Sequence, residues 1–179
     1  MDLEDEKAVL RKYEEIHFKK TVEWLNQETI KHNFGIKKNI TLSQHEQWFA
    51  NLENTFIKAI YDKENNLYIG NTLVQFNKSN QSAFFQIYIG EENVKGKGLA
   101  TSTLQLVLDY LFLHEQYNRV WLKVFPDNKK ALKLYRNFGF VLEGIERESY
   151  KDLNGFRNQM IFSILKKDWL DKQGGIENK

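Results

Sequence analysis

Ile87-Tyr88-Ile89-Gly90-Glu91-Glu92-Asn93-Val94-Lys95-Gly96-Lys97-Gly98-Leu99-Ala100-Thr101 reads as an apolar strand that enters a short glycine-bearing turn, which opens directly into a helix. A turn of this kind gathers unpaired backbone N–H groups and the positive end of a helix dipole at one point, a ready site for an anionic phosphate. Glycine lets the backbone approach a ligand without Cβ interference, and residues 95 to 101 carry Lys95 and Lys97 but no acid. About thirty residues on comes Asn128-Lys129-Lys130-Ala131-Leu132-Lys133-Leu134-Tyr135-Arg136-Asn137-Phe138-Gly139-Phe140, an amphipathic helix with one tyrosine placed as a proton donor. The two segments together imply a phosphate-bearing cofactor and group transfer.

Around this centre the spacing predicts a strand over Val9 to Glu15 and a helix over Phe18 to Gln27. A second helix is expected over Thr41 to Leu52, capped by Thr41 or Ser43, with Trp48, Phe49 and Leu52 as its buried stripe. Thr55 to Tyr61 and Leu67 to Phe76 form a hairpin across a polar turn, followed by a strand over Ser82 to Gly90. Leu99 to Glu115 carries Leu99, Leu104, Val107, Leu108, Leu111 and Phe112 at helical spacing. A strand over Arg119 to Phe125, a helix over Lys129 to Phe138 stopped by Gly139, and a hairpin of Phe140 to Tyr150 with Phe156 to Leu165 complete the order. The expected class is mixed α/β: a central, mostly antiparallel sheet flanked by helices, in one domain over 1–179 with a flexible tail at 170–179.

The bulk numbers narrow the field. With 179 residues, 41% of them hydrophobic, the chain can bury a real core. Its 26 basic and 24 acidic side chains leave a net charge of +2 with no block of one sign, so neither nucleic acid nor a membrane surface is an expected partner. There are no cysteines, which excludes disulfides, thiolate-held zinc and a thiolate nucleophile. An acidic start, Met1-Asp2-Leu3-Glu4-Asp5-Glu6, and the lack of an uncharged run near the roughly 20 residues that span a bilayer point to a cytoplasmic protein.

Two nucleotide-binding motifs are not matched in full. A P-loop needs glycine where Lys95 stands. A dinucleotide fingerprint needs glycine where Thr101 stands and a unit opening the first βα crossover, although Asp127 does follow the next strand.

Lys95-Gly96-Lys97-Gly98-Leu99-Ala100 resembles the R/Q-x-x-G-x-G/A signature of the GNAT superfamily of N-acetyltransferases, with Lys95 in place of the usual Arg or Gln. Asn128 through Phe140 resembles the partner motif N-x-x-A-x-x-L-Y-x-x-x-G-F, and the match in order and spacing covers roughly residues 56 to 166. The resemblance implies acetyl-CoA as donor; His45 lacks the H-E-x-x-H spacing of a zinc helix, so no metal is expected. The resemblance implies a pyrophosphate against the N–H groups of Lys95, Gly96, Lys97, Gly98, Leu99, Ala100 and Thr101, and a pantetheine arm along Ile87, Tyr88 and Ile89. It also sets Asn128 against the cofactor and Tyr135 near its sulfur.

Direct transfer is expected, since neither a cysteine nor a G-x-S-x-G elbow is present. A tyrosine, with an ordinary pKa of about 10, stays protonated at neutral pH, so Tyr135 is the candidate general acid. A backbone N–H around Tyr88-Ile89 would meet the developing oxyanion. For the base, Glu91 at the end of the central strand leads, with Glu92, Glu28 and His45 behind it.

Residues 17 to 52 and the last hairpin are expected to frame the acceptor, with Trp24, Glu28, His45 and Trp48 as binding residues. Trp24-Leu25-Asn26 with His45-Glu46-Gln47-Trp48-Phe49 resembles the opening of GNAT enzymes that acetylate nucleotide-linked amino sugars. The C-terminal half is similar to polyamine and ribosomal-protein N-terminal acetyltransferases. A small-molecule amine is the expected acceptor, an amino sugar ahead of a polyamine, and a homodimer is left open. The alternatives are acetylation of a protein N-terminus, a non-catalytic acyl-CoA-binding module, and a nicotinamide-dependent oxidoreductase.

Overall fold

The computed structural model describes residues 1–94 and 96–174. Eight strands are hydrogen-bonded in the order β1-β2-β3-β4-β5-β6-β8-β7. They are β1 (Leu3–Glu4), β2 (Ala8–Lys12), β3 (Thr55–Asp62), β4 (Leu67–Asn77), β5 (Ser82–Ile89), β6 (Arg119–Val124), β7 (Val141–Asp152) and β8 (Gly155–Leu165). The β5–β6 pair is parallel, whereas β1–β2, β2–β3, β3–β4, β6–β8 and β7–β8 are antiparallel. The helices are α1 (Phe18–Leu25), α2 (Glu28–Phe34), α3 (Leu42–Ala50), α4 (Leu99–Asp109), α5 (Lys129–Phe138) and α6 (Lys166–Gly174). The mixed, mostly antiparallel sheet with flanking helices is the class expected.

By internal packing the chain divides into two compact units, one of Met1–Gln75 with Phe85–Tyr110, the other of Phe76–Phe84 with the chain from Leu111 onward. In the first, Tyr13, Phe18 and Ala59 form a buried cluster against which Phe49, Ile57, Tyr61 and Tyr68 pack. The stripe Leu99, Leu104, Val107 and Leu108 buries α4, as its spacing predicts. In the second unit Leu132, Tyr135 and Phe138 form the buried face of α5, and Phe138 stacks on Trp169 of α6 at 6.0 Å between ring centroids. That contact anchors the C-terminal helix.

Several boundaries differ from expectation. The first strand stops at Lys12 rather than Glu15, because the chain turns there into a 3-10 helix, Glu15–His17. Helix α2 has no apolar stripe to announce it; of its seven residues only Ile30 is buried. Thr41, not Ser43, caps α3: Gln44 N donates to Thr41 Oγ1 at 3.2 Å, and the Gln44 side chain accepts from Thr41 N at 2.9 Å. The stripe assigned to α3 is corrected too, since Trp48 is 43% exposed while His45 is 3% exposed. The helix begun at Leu99 is α-helical only to Asp109 and continues as a π-type turn, Tyr110–His114. The tail expected at 170–179 is helical through Gly174, and residues 175–179 lie outside the described residues.

Candidate functional site

After a 3-10 turn over Glu92–Val94, Gly96 and Gly98 take left-handed backbone angles, φ +86° and +78°. Residues with a Cβ adopt that region only at a cost, which is why glycine stands at both positions. Gly98 is the N-cap of α4 and supplies no side-chain cap. Ser102 N donates to Gly98 O at 3.0 Å, but among the described residues nothing accepts from the N–H groups of Leu99, Ala100 and Thr101. A Cβ built on Gly96 would meet nothing within 4 Å, so the turn opens into free space.

The charge near this turn is not the one its own residues suggest. The Lys97 ammonium lies 3.3 Å from Asp62 Oδ2 and 3.6 Å from Glu64 Oε2, so its charge is already balanced. Lys7, which the sequence did not single out, brings its ammonium to 3.4 Å from where a Gly98 Cβ would stand. Lys95 lies outside the described residues.

On β5 the parallel ladder to β6 covers Ser82, Ala83 and Phe84 and ends there. The strand runs on through Gln86, Ile87, Tyr88 and Ile89. Gln86 and Tyr88 line a cavity, and strand alternation sends Ile87 and Ile89 to the other face.

That cavity, about 430 Å³, lies within the first unit. Its wall combines Leu25, Phe34, Ile40, Trp48, Ile57 and Leu73 with a polar set of Tyr13, Thr21, Gln44, His45, Asn71 and Tyr88. Lys38 and Asn39 stand at its exposed rim, and no carboxylate is among the lining residues.

The polar set is wired together. His45 Nε2 and the Tyr13 hydroxyl are 2.7 Å apart, and Tyr13 donates to Thr21 Oγ1 at 2.8 Å. Thr21 Oγ1 and the Tyr68 hydroxyl are 2.8 Å apart, and Tyr68 donates to Asn71 Oδ1 at 2.8 Å. Asn71 Nδ2 then donates to Thr21 at 3.0 Å and to the Tyr88 hydroxyl at 2.7 Å. Burial pushes the Tyr88 hydroxyl up to about 12 and drives Tyr13 and Tyr68 higher still, so all three phenols stay protonated at neutral pH. Burial pushes His45 the other way, below the ordinary histidine value, which leaves it uncharged.

Of the acceptor residues expected from sequence, His45 and Trp48 line this cavity. Trp24 does not: it is 1% exposed and its indole packs against Gly90. Glu28 does not either, for its exposed carboxylate pairs with Lys31 at 3.1 Å. Glu91 sits just past β5, accepts from Asn93 at 3.3 Å and lies 3.8 Å from the Lys20 ammonium; it is not a lining residue. Tyr13, Thr21, Tyr68 and Asn71 escaped sequence reasoning because β2's end, α1 and β4 contribute them one or two at a time. The one trace was a polar pair, Asn71-Thr72, inside an otherwise apolar strand.

In the second unit Asn128 caps α5, its Oδ1 accepting from Ala131 N at 3.2 Å. Tyr135 is 6% exposed with its ring 5.6 Å from Phe140, and burial pushes its hydroxyl above the ordinary value of 10. Among the described residues no group of three or more His, Asp or Glu is arranged to hold a metal, and no helix is long and apolar enough to cross a membrane.

Comparison with known proteins identifies the family. The family model described as Acetyltransferase (GNAT) domain matches residues 7–141. The spermidine N(1)-acetyltransferase of Escherichia coli K12 is 30% identical over 131 residues, 68% of this chain and 70% of that protein. Its counterpart in Vibrio cholerae is 29% identical over 154 residues, 79% and 88% of the two chains. A crystal structure of spermidine N-acetyltransferase from Vibrio cholerae with CoA and spermine superposes with a TM-score of 0.84 at 24% identity, over 93% of this chain and 99% of that one. An acetyltransferase (GNAT family) structure from Bacillus anthracis gives 0.82 at 15% identity, again over 93% and 99%. Since the family model spans most of its length, this chain belongs to the GNAT family of acetyltransferases.

Proposed function

We propose that this acetyltransferase moves the acetyl group of acetyl-CoA directly to the primary amine of a small molecule held in the cavity of the first unit. The observation that carries the reading is the glycine turn at the head of α4, with three consecutive N–H groups lacking any partner among the described residues. A diphosphate laid there would take hydrogen bonds from those groups and favourable dipole energy of about 0.3–1 kcal/mol, more where water is excluded. Past the end of its β6 ladder, β5 offers free backbone to a pantetheine amide along Ile87, Tyr88 and Ile89. Asn128 would contribute its remaining amide donor to the cofactor.

In this reading Tyr135 protonates the departing thiolate. A buried phenol above its ordinary pKa is a poor acid toward an exposed thiolate, with its pKa of about 8.5. The leaving group, however, is released into the same dry surroundings, which raise its proton affinity as well. Similar surroundings leave the phenol the weaker acid, so transfer to sulfur is completed as the strongly acidic protonated nitrogen of the new amide returns a proton to the phenolate.

For the acceptor, an amino sugar linked to a nucleotide stands ahead of a polyamine. Trp48 and seven amide or hydroxyl side chains suit a hydroxylated ring, and Lys38 at the rim suits an attached anion. A polycation would have to bury its charges beside a lysine with no carboxylate in the wall, an uncompensated desolvation. The polyamine reading rests on the named activity of the spermidine acetyltransferase relatives. A free-thiol release assay with acetyl-CoA across polyamines, amino-sugar nucleotides and N-terminal peptides tests both. Turnover with amino-sugar nucleotides and none with spermidine is the expected result, and the reverse reverses the order. Failure of acetyl-CoA to raise the melting temperature would remove the whole reading. A cytoplasmic setting, where acetyl-CoA is made and used, belongs to the same proposal.

A further inference from the structure

The hydrogen-bond ring beneath the cavity decides which nitrogen of His45 carries its proton. Tyr68 has one proton, and it goes to Asn71 Oδ1. Thr21 must therefore be the donor to Tyr68, which obliges Tyr13 to donate to Thr21. Tyr13 has then no proton left for His45, and the 2.7 Å contact exists only if His45 Nε2–H donates to the Tyr13 oxygen. Turning the Asn71 amide around changes nothing at this end. Asn71 would then donate to Tyr68 and accept from Thr21, and Tyr13 would still be the donor to Thr21. In either case the neutral ring keeps its lone pair on Nδ1. Among the described residues only Thr103 Oγ1 is a fully enclosed side-chain polar atom without a partner. His45 Nδ1, which also has none, is therefore not fully enclosed, and the ring that bears it lines the cavity.

The rest of the wall offers no competitor. Its other titratable side chains are Tyr13 at the end of the β2 segment, Tyr88 on β5 and Lys38 in the loop before α3. Two are protonated phenols and one is an ammonium. The remaining faces of the imidazole meet Phe18 of α1 at 5.1 Å and Trp48 of its own helix at 5.1 Å between ring centroids, neither of them charged. Glu46 on the same helix is exposed.

Resting on the acetyl-transfer reading above, we infer that His45 is the catalytic base, its Nδ1 taking a proton from the acceptor ammonium while Tyr13, a positioning residue, holds the ring through Nε2–H. The balance is as follows. R–NH₃⁺ gives one proton to Nδ1 and becomes R–NH₂, whose lone pair forms the C–N bond at the thioester carbonyl carbon as the C=O π pair moves to oxygen. Collapse re-forms C=O and breaks C–S; the sulfur leaves with the electron pair and takes the proton of Tyr135. The nitrogen's second proton returns to the Tyr135 phenolate through solvent. The imidazolium releases its proton to water, so amine, thioester, amide and thiol balance with one proton produced.

The test uses the full chain and whichever amine of the panel turns over. Wild-type kcat is expected to fall on the acid side below about pH 6.5, as one group protonates. His45→Gln should lower kcat by about 10²–10⁴ and abolish that acid limb, with acetyl-CoA Kd unchanged by calorimetry. Should His45→Gln fold poorly, His45→Gly with added imidazole provides a second measure: recovery of rate saturating in imidazole is expected. Tyr13→Phe should lower kcat by about tenfold and move the acid limb to lower pH, since the imidazolium loses an acceptor; a purely structural tyrosine would leave the limb in place. A His45→Gln enzyme with the wild-type acid limb, or loss of that limb in Glu91→Gln instead, overturns the inference while acetyl transfer stands. Absence of wild-type turnover with every amine overturns both.

Discussion

Trp24 and Gly90 touch so closely that a Cβ on the glycine would lie 2.2 Å from the indole. Indole and strand end are thereby locked together, and the 1% exposed ring closes the floor of α1 just where β5 leads toward the glycine turn. Gly90→Ala should therefore destabilise the protein by about 1–3 kcal/mol, the usual cost of overpacking, read as a lower urea midpoint with unchanged m. In a Trp24→Leu background the same substitution should cost less. An equal cost in both backgrounds would mean the indole is not the obstacle.

Gly96→Val separates backbone strain from ligand contact. A Cβ there meets no protein atom within 4 Å beyond the chain neighbours, so the expected instability is that of the positive φ, about 1–2 kcal/mol. Its methyls would occupy the space proposed for the diphosphate. Acetyl-CoA Kd should rise at least about tenfold by calorimetry, equivalent to about 1.4 kcal/mol. Unchanged Kd in both Gly96→Val and Gly98→Val would move the cofactor elsewhere.

Tyr135→Phe removes the proposed proton donor and leaves the buried ring. The expected result is kcat lower by about 10²–10⁴ with acetyl-CoA affinity nearly constant. A rate equal to wild type would strike Tyr135 from the mechanism.

Stability should fall on the acid side. Burial lowers both His17 and His45 from the ordinary histidine value, against the opposing pull of Glu14 at His17. Above about pH 6.5 both residues are neutral folded or unfolded, and nothing is gained or lost. Below it the unfolded chain binds protons that the native state refuses, so unfolding free energy decreases as pH falls toward the native pKa values. Urea midpoints between about pH 7.5 and about pH 5.5 should decline, and His45→Gln should flatten part of the slope. A midpoint that rose toward acid would contradict the burial of these rings.

Local patterns explain most of what the chain announced in advance. Helix α4 and helix α5 bury stripes that are contiguous at 3.6-residue spacing, and strands β3 to β8 are β-rich runs bounded by turn clusters, so each is visible within a window of a dozen residues. Helix α2 carries no local signal since only Ile30 of it is buried, and α3's inward face is hidden from its spacing because the residue it buries is a histidine satisfied by a tyrosine thirty-two positions away. Polar groups can enter a core once partners are in place, and those partners are invisible to a local window.

The same division runs through the chemistry. The glycine turn heading a helix and the tyrosine helix that follows were dictated by the sequence itself, because a row of exposed backbone N–H groups needs only short-range geometry. The folded chain alone decided that Lys97 is spent on Asp62 and Glu64, that Trp24 is core and Glu28 is solvated, and that no carboxylate lines the cavity of the first unit. It also decided that Tyr13, Thr21, Tyr68 and Asn71 dictate the tautomer of His45. Proton positions and charge pairing depend on atoms within about 3–4 Å of one another, and residues so placed by β2, α1, α3 and β4 are dozens of positions apart along the chain.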